Sequence, residues 1–380
     1  MINKQELELL RDALATLEEG VSELPRFTPT FDTERAADVL GEVATRMQDN
    51  YPYFHPQYAG QMLKPPHPIA RVAYALALWI NPNNHALDGG RASSAMEKEC
   101  IVDLGRMFGW EQPLGHLTGG GTMANLEALW VAGRLSPGKR VIASEQAHYT
   151  HSRITEVLGI AFAPVAVTTN GRMDVAAVER HLAEGDVGTV VVTIGNTGLG
   201  SVDPLADILA LRDRYDFRIH VDAAYGGYFG LAAELDAEQS RHFDRLGDVD
   251  SIVIDPHKHG LQPYGCGCVL FRDPSVGTFY KHDSPYTYFS SGDMHLGEIT
   301  LECSRPGASA VALWATHKLL PPVRGGEFSE GLDACLRAAR ALWRELHKSS
   351  TFTPLMQPEL DIVVYAVNAE STSATSRRAR

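Results

Sequence analysis

The stretch Arg218-Ile219-His220-Val221-Asp222-Ala223-Ala224-Tyr225-Gly226-Gly227 runs from an apolar strand pattern into a carboxylate, two alanines and a pair of glycines. Arg218–Val221 reads as a short strand, and the residues after it as a turn. Working outward, similar Val- and Ile-rich runs occur at Arg140–Ala143, Ala163–Val167, Thr189–Ile194, Ser251–Ile254 and Cys268–Phe271. Helical stretches separate most of them, notably Met123–Arg134 and Leu205–Tyr215. Strand alternating with helix predicts an α/β domain with a mostly parallel central sheet. Ligands of such sheets bind beyond the carboxyl ends of the strands, so the residues that follow each strand carry the chemical information.

The flanks read differently. Leu7, Leu10, Leu14 and Leu17 recur at helical spacing until Gly20, and Asp32-Thr33-Glu34 starts a second helix after Pro25 and Pro29. Residues 51–68 are rich in Pro, His and Tyr and read as a loop; Ile69–Ile80 and about Ser93–Phe108 read as helices. Near the far end a helix is expected at Leu332–Leu346 and a strand at Asp361–Ala366.

Composition limits the function. The 380 residues are 44% apolar and 21% charged, enough to build a large core and too apolar for a disordered chain. A net charge of −13 disfavours a nucleic-acid surface, and the only basic run is Arg377-Arg378-Ala379-Arg380. No apolar run approaches the ~18 residues of a membrane span. Five cysteines suit free thiols in a reducing cytoplasm better than a disulfide framework.

Several strand ends hold reactive groups. Asp255-Pro256-His257-Lys258 follows one strand, and a sheltered lysine there is suited to act as a neutral amine nucleophile. Asp222 is costly to bury unless paired, and a pyridinium N–H is a suitable partner. Gly119-Gly120-Gly121-Thr122 opens a helix whose free N–H groups favour an anion such as phosphate. His148, in Ser144-Glu145-Gln146-Ala147-His148, is placed to lie on a planar ring, and Gly195-Asn196-Thr197-Gly198 offers short polar groups at the same edge. Taken singly, each motif leaves a plainer reading open: a salt-bridged loop lysine, a helix-capping aspartate, a flexible turn, a surface histidine.

Taken in order, they resemble the pyridoxal-phosphate enzymes of the aspartate-aminotransferase fold (fold type I), and within them the group II amino-acid decarboxylases. The resemblance spans about Tyr51 to Trp314. It is carried by His55-Pro56, the Gly-Gly-Thr-x-Ala-Asn run at 120–125, Ala147-His148, His220-Val221-Asp222-Ala223-Ala224 and Asp255-Pro256-His257-Lys258. It implies pyridoxal 5'-phosphate as cofactor, with Lys258 as the Schiff-base lysine, Asp222 beside the pyridine nitrogen and His148 stacked on the ring. Gly121 and Thr122 resemble phosphate ligands, His257 a further phosphate or ring contact, and Thr197 and Ala224 positions flanking the ring. A loop tyrosine, Tyr286 or Tyr288, corresponds to the group that protonates the product, His148 being the other candidate. Gln61 and His55 correspond to substrate contacts; Gln61 points weakly to an acidic amino acid, while an aromatic one such as tyrosine stays open.

The resemblance implies an L-amino-acid decarboxylase, a cytoplasmic homodimer without nucleic-acid or membrane partners. Three segments are expected: an N-terminal extension at 1–63 that wraps the partner, a cofactor-binding large domain at 64–335, and a small C-terminal domain, only partly present, at 336–380. Another lyase or aminotransferase of the same fold, or an inactive relative acting as a binding protein, are the competing expectations. His259 departs from the bulky aromatic residue that many relatives carry after the lysine. Cys266-Gly267-Cys268 with nearby histidines is a weak metal pattern, since four ligands are not assembled locally, and no metal is expected.

Overall fold

A computed structural model describes residues 4–25, 28, 30–55, 57, 58, 62, 64–281 and 295–368. Its centre is a seven-stranded sheet: β1 (Leu114–Thr118), β2 (Arg140–Ser144), β3 (Phe162–Val165), β4 (Val187–Thr193), β5 (Arg218–Asp222), β6 (Ser251–Ile254) and β7 (Gly267–Phe271). The spatial order is β1-β7-β6-β5-β4-β2-β3. Only β7 runs against its neighbours, pairing antiparallel with both β1 and β6; the remaining pairs are parallel. The mostly parallel sheet expected from the strand–helix alternation is therefore present. Every residue of β4, Val-Gly-Thr-Val-Val-Val-Thr, is buried, as expected for a central strand covered on both faces.

Eleven helices are described: α1 (Lys4–Glu19), α2 (Thr33–Met47), α3 (Pro68–Leu78), α4 (Leu87–Met107), α5 (Gly121–Leu135), α6 (Thr150–Leu158), α7 (Val175–Ala183), α8 (Leu205–Ala210), α9 (Ala237–Phe243), α10 (Ala308–Leu319) and α11 (Glu327–His347). α5 lies across β6 and β7, while α10 packs on α3 and α4. The main core joins sheet residues such as Ile142, Val190 and Ile219 to Leu104 of α4 and Leu313 of α10, all with no exposed surface.

The predicted strand at 361–366 is shorter and displaced. β9 (Tyr365–Val367) pairs antiparallel with β8 (Phe352–Pro354) in a separate two-stranded sheet. Asp361 is irregular because its side chain is taken up by tertiary bonds, described below. β1, absent from the expected strands, is one of the two edge strands of the main sheet.

Candidate active site

The carboxyl ends of the parallel strands open onto a cavity of about 570 Å³. Its wall includes Gly121, Thr122, His148, Thr197, Asp222, Ala224, His257 and Lys258. Eight residues separated by as many as 137 positions in the chain thus meet at one sheet edge, as the strand-end argument requires.

The first wall is the start of α5. Gly120 holds φ +149°, open in practice to glycine alone, and no side chain caps the helix. A Cβ on Gly121 would lie 2.7 Å from Asp255 Oδ2, so the turn can approach the β6 end only without a side chain. The turn is anchored from behind. Asn125 Nδ2 donates to Gly121 O (2.8 Å), and Asn125 Oδ1 meets His220 Nε2 at 2.8 Å. The other His220 nitrogen contacts Ser251 Oγ at 2.9 Å. Burial pushes the His220 imidazole down to about 3, so this bridge is neutral.

The second wall is the turn after β5. Asp222 Oδ2 accepts from His151 Nε2 (2.9 Å), and Oδ1 accepts from Ala224 N (3.1 Å). Burial works to raise this carboxyl, but the His151 bond and charge, with Lys258, hold it far below the usual range. His148, one turn before His151, is half-buried. Thr150 N donates to its Nδ1 (3.4 Å) and Thr150 Oγ1 lies 2.9 Å from the same atom. Burial keeps this imidazole below its ordinary range, and with Nδ1 accepting, Nε2 carries the proton.

The third wall is the turn after β6. Lys258 Nζ lies 3.1 Å from Asp255 Oδ2, and His257 Nε2 lies 3.5 Å from the same oxygen. His257 Nδ1 accepts from Cys266 N, and its ring stacks on Tyr264 with centroids 4.6 Å apart. Burial raises the Asp255 carboxyl above its ordinary range, and Lys258 and His257 oppose that only in part.

A match to the pyridoxal-dependent decarboxylase conserved domain covers residues 30–368, nearly the whole chain. The chain belongs to the pyridoxal-dependent decarboxylase family. It is 30% identical over 309 residues to a probable L-tyrosine/L-aspartate decarboxylase of Methanothermobacter thermautotrophicus, covering 80% of this chain and 82% of that one. The L-aspartate decarboxylase of Thermococcus kodakarensis is likewise 30% identical, over 86% of this chain and 84% of its own. The structure of mouse CSAD in apo form superposes with a TM-score of 0.80 at 23% identity, over 96% of this chain and 81% of that one, which establishes the shared fold. This decarboxylase therefore acts on an amino acid with pyridoxal 5'-phosphate.

The cavity of this decarboxylase fits that cofactor on three observations. An uncapped helix start offers N–H groups to a phosphate. Just ahead of it, Gly119 N donates to the Glu302 carboxyl at 3.1 and 3.3 Å, so the same turn already binds an oxygen acceptor. An amine and a carboxylate held anionic line the same space, as an aldehyde and a ring N–H require.

Not every expected residue reaches the cavity. His55 is exposed on the 50s loop, where its Nδ1 accepts from Gln57 N, and it is not in the cavity wall. Gln61, Tyr286 and Tyr288 lie outside the described residues. Conversely, His151, Asp255, Tyr225 and Glu302 take part in the site without having been singled out. For two of them a signal existed: His151 stands three residues after His148, and Asp255 three residues before Lys258. Cys266 and Cys268 are both buried with thiols pushed up by burial, so neither is a ready thiolate.

Proposed function

We propose that this decarboxylase works through Lys258 as the amine that holds the cofactor and releases the product, with Asp222, His148 and the start of α5 as its other contacts. When bound, pyridoxal phosphate supplies an aldehyde that captures an amine and a conjugated ring that takes up the electron pair left as CO₂ departs. The protein's own residues do the rest. Gly121 and Thr122 anchor the phosphate, Thr197 and Ala224 flank the ring, and His257 backs it. Asp222 stays anionic and so keeps a proton on the ring nitrogen. Asp255 is the near acceptor for the Lys258 ammonium proton. His148, protonated at Nε2, is one candidate to return a proton to the substrate carbon; Tyr286 and Tyr288 are the others.

The observation that carries this reading is the pairing pattern in a single cavity: Lys258 on Asp255, and Asp222 on His151. The test is the absorption of the purified holoenzyme. A near-visible band abolished by borohydride and missing from Lys258→Ala is expected. A band that persists in Lys258→Ala removes Lys258 from this role.

For the substrate, the acidic reading rests on Gln61. A second observation favours an aromatic amino acid such as tyrosine. A cavity of about 990 Å³ shares His257 and Tyr264 with the first and is walled by Tyr53, Phe54 and Leu261. Its lysine and arginine, Lys64 and Arg71, are already paired with Asp361 and Glu6, which weakens it as a seat for a side-chain carboxylate. A higher kcat/KM for CO₂ release from L-tyrosine than from L-aspartate or L-glutamate is expected, and the reverse order returns the assignment to acidic substrates.

We also propose a cytoplasmic homodimer. α1 and α2 bury no residue, and Val39, Leu40, Val43 and Met47 leave one stripe of α2 exposed. Light scattering that gives twice the chain mass supports this; a monomer at micromolar concentration overturns it.

A further inference from the structure

The segment Glu359-Leu360-Asp361-Ile362 enters the body of the protein behind the active site. Leu360 is 1% exposed and packs against Gly195 and Gly226, in the turns after β4 and β5. Asp361, whose side chain is only 6% exposed, accepts three hydrogen bonds from three separate segments. Tyr225 Oη donates to its Oδ1, while His259 Nε2 and Lys64 Nζ donate to its Oδ2, each at 3.1 Å. The second His259 nitrogen, Nδ1, lies 3.1 Å from the carbonyl oxygen of Tyr225. The ring is thus held at both nitrogens, by a carboxylate on one side and a carbonyl on the other. His259 follows Lys258 directly, and Tyr225 stands three residues after Asp222 in the cavity wall. One buried carboxylate therefore ties the lysine turn to the Asp222 turn through a bridging histidine.

We propose that Asp361 is a positioning residue for the decarboxylation: acting through His259 and Tyr225, it fixes the turn that carries Lys258 against the turn that carries Asp222. The proposal rests on the reading of Lys258 and Asp222 given above. Burial alone would raise the Asp361 carboxyl; His259, Lys64 and Tyr225 together hold it well below the usual range, so all three donors face a permanent anion. A buried, triply satisfied carboxylate sets geometry closely, because moving any donor leaves a charge unpaired in the interior. Small displacements of reacting groups are costly in rate while leaving ground-state binding largely intact.

The test compares holoenzyme variants Asp361→Asn, His259→Phe, their double mutant, and Glu359→Gln. Glu359 belongs to the same segment but bonds Arg172 and Val202 N instead, away from the cavity wall. Asp361→Asn and His259→Phe are each expected to lower kcat about ten-fold with KM changed less than about two-fold. The double mutant is expected to be no worse than the poorer single, and Glu359→Gln to keep its kcat. Three results overturn the proposal: kcat unchanged in both singles, losses that multiply in the double, or an equal loss in Glu359→Gln, which would show that docking of the segment is all that matters. Should Asp361→Asn fail to fold, His259→Phe decides alone: cofactor retained with kcat lowered supports the proposal, and kcat unchanged overturns it. Failure of the wild-type enzyme to release CO₂ would count against the reading of Lys258, not against this network.

Discussion

β5 and β6 are neighbours in the sheet, and each leads into a buried carboxylate on the same cavity, Asp222 as the last residue of β5 and Asp255 directly after β6. Asp222 is 5% exposed and Asp255 2%. Burial is the largest influence on both and pushes both carboxyls up, yet Asp222 ends far below the usual range and Asp255 above it. The difference lies in donors. Asp222 has an imidazole N–H on one oxygen and a backbone N–H on the other. Asp255 has Lys258 and His257 near Oδ2, while its buried Oδ1 has no partner among the described residues. Depth alone does not set the charge of a strand-end carboxylate; how each of its oxygens is bonded, and by which groups, does. Asp222 is built to stay an anion, and Asp255 to share a proton with its neighbours.

The largest loss is expected for Asp222→Asn. Removing a preorganised charge from the reacting centre should lower kcat by about 10²-fold or more. CO₂ release under saturating substrate measures it, and an equal fall in Asp255→Asn would mean that the two turns are not specialised. Next comes His151→Ala, which strips Asp222 of its side-chain donor. A hydrogen bond to a charged group is worth about 1.5–3 kcal/mol, roughly ten- to a hundred-fold in rate if it is felt fully at the ring nitrogen. Activity unchanged in His151→Ala would leave the Ala224 N–H as sufficient support. Asp255→Asn should cost the least of the three, about ten-fold or below, because its carboxyl already resists ionisation and Lys258, partly open to solvent, keeps water as an alternative partner.

Part of this arrangement is legible in the amino-acid order alone. β6 was expected at Ser251–Ile254 and lies there, and the turn residues Asp222 and Lys258 were found because each follows an apolar run. Val- and Ile-rich apolar runs and the strand-end rule carry that far. The partners were harder. His151 bonds Asp222 across 71 positions, and Asp361 bonds His259 across 102, so nothing local marks either pair. β1 was missed because Leu-Gly-His-Leu-Thr, with glycine and histidine inside it, lacks the β-branched run of the central strands. The strand expected from Asp361 begins instead at Tyr365, since the Glu359, Leu360 and Asp361 side chains are committed to the sheet edge before the backbone is free to pair.

A third buried carboxylate, Asp203, acts on stability rather than on rate. Asp203 accepts from Met173 N (2.7 Å) and Thr193 N (2.8 Å), backbone donors only, with Glu359 nearby. Burial first, then Glu359, pushes its carboxyl up to about 7. In the unfolded chain the same group titrates near 4, roughly the ordinary aspartate value. Between these values the folded state holds a proton that the unfolded state lacks. The stability contributed by Asp203 is thus fully present below about pH 4 and is lost as pH rises through about 7. Asp222 has the opposite sign: its folded carboxyl is depressed, so its contribution is present above the ordinary range and is lost only in acid. Thermal midpoints measured from pH 5 to 8 should therefore fall less steeply in Asp203→Asn than in the wild type. Asp222→Asn should leave that slope alone and flatten the acid limb instead. Parallel slopes for wild type and Asp203→Asn would show that two backbone N–H donors suffice to keep a buried carboxylate ionised, and the count of donors, rather than their charge, would then account for Asp222 as well.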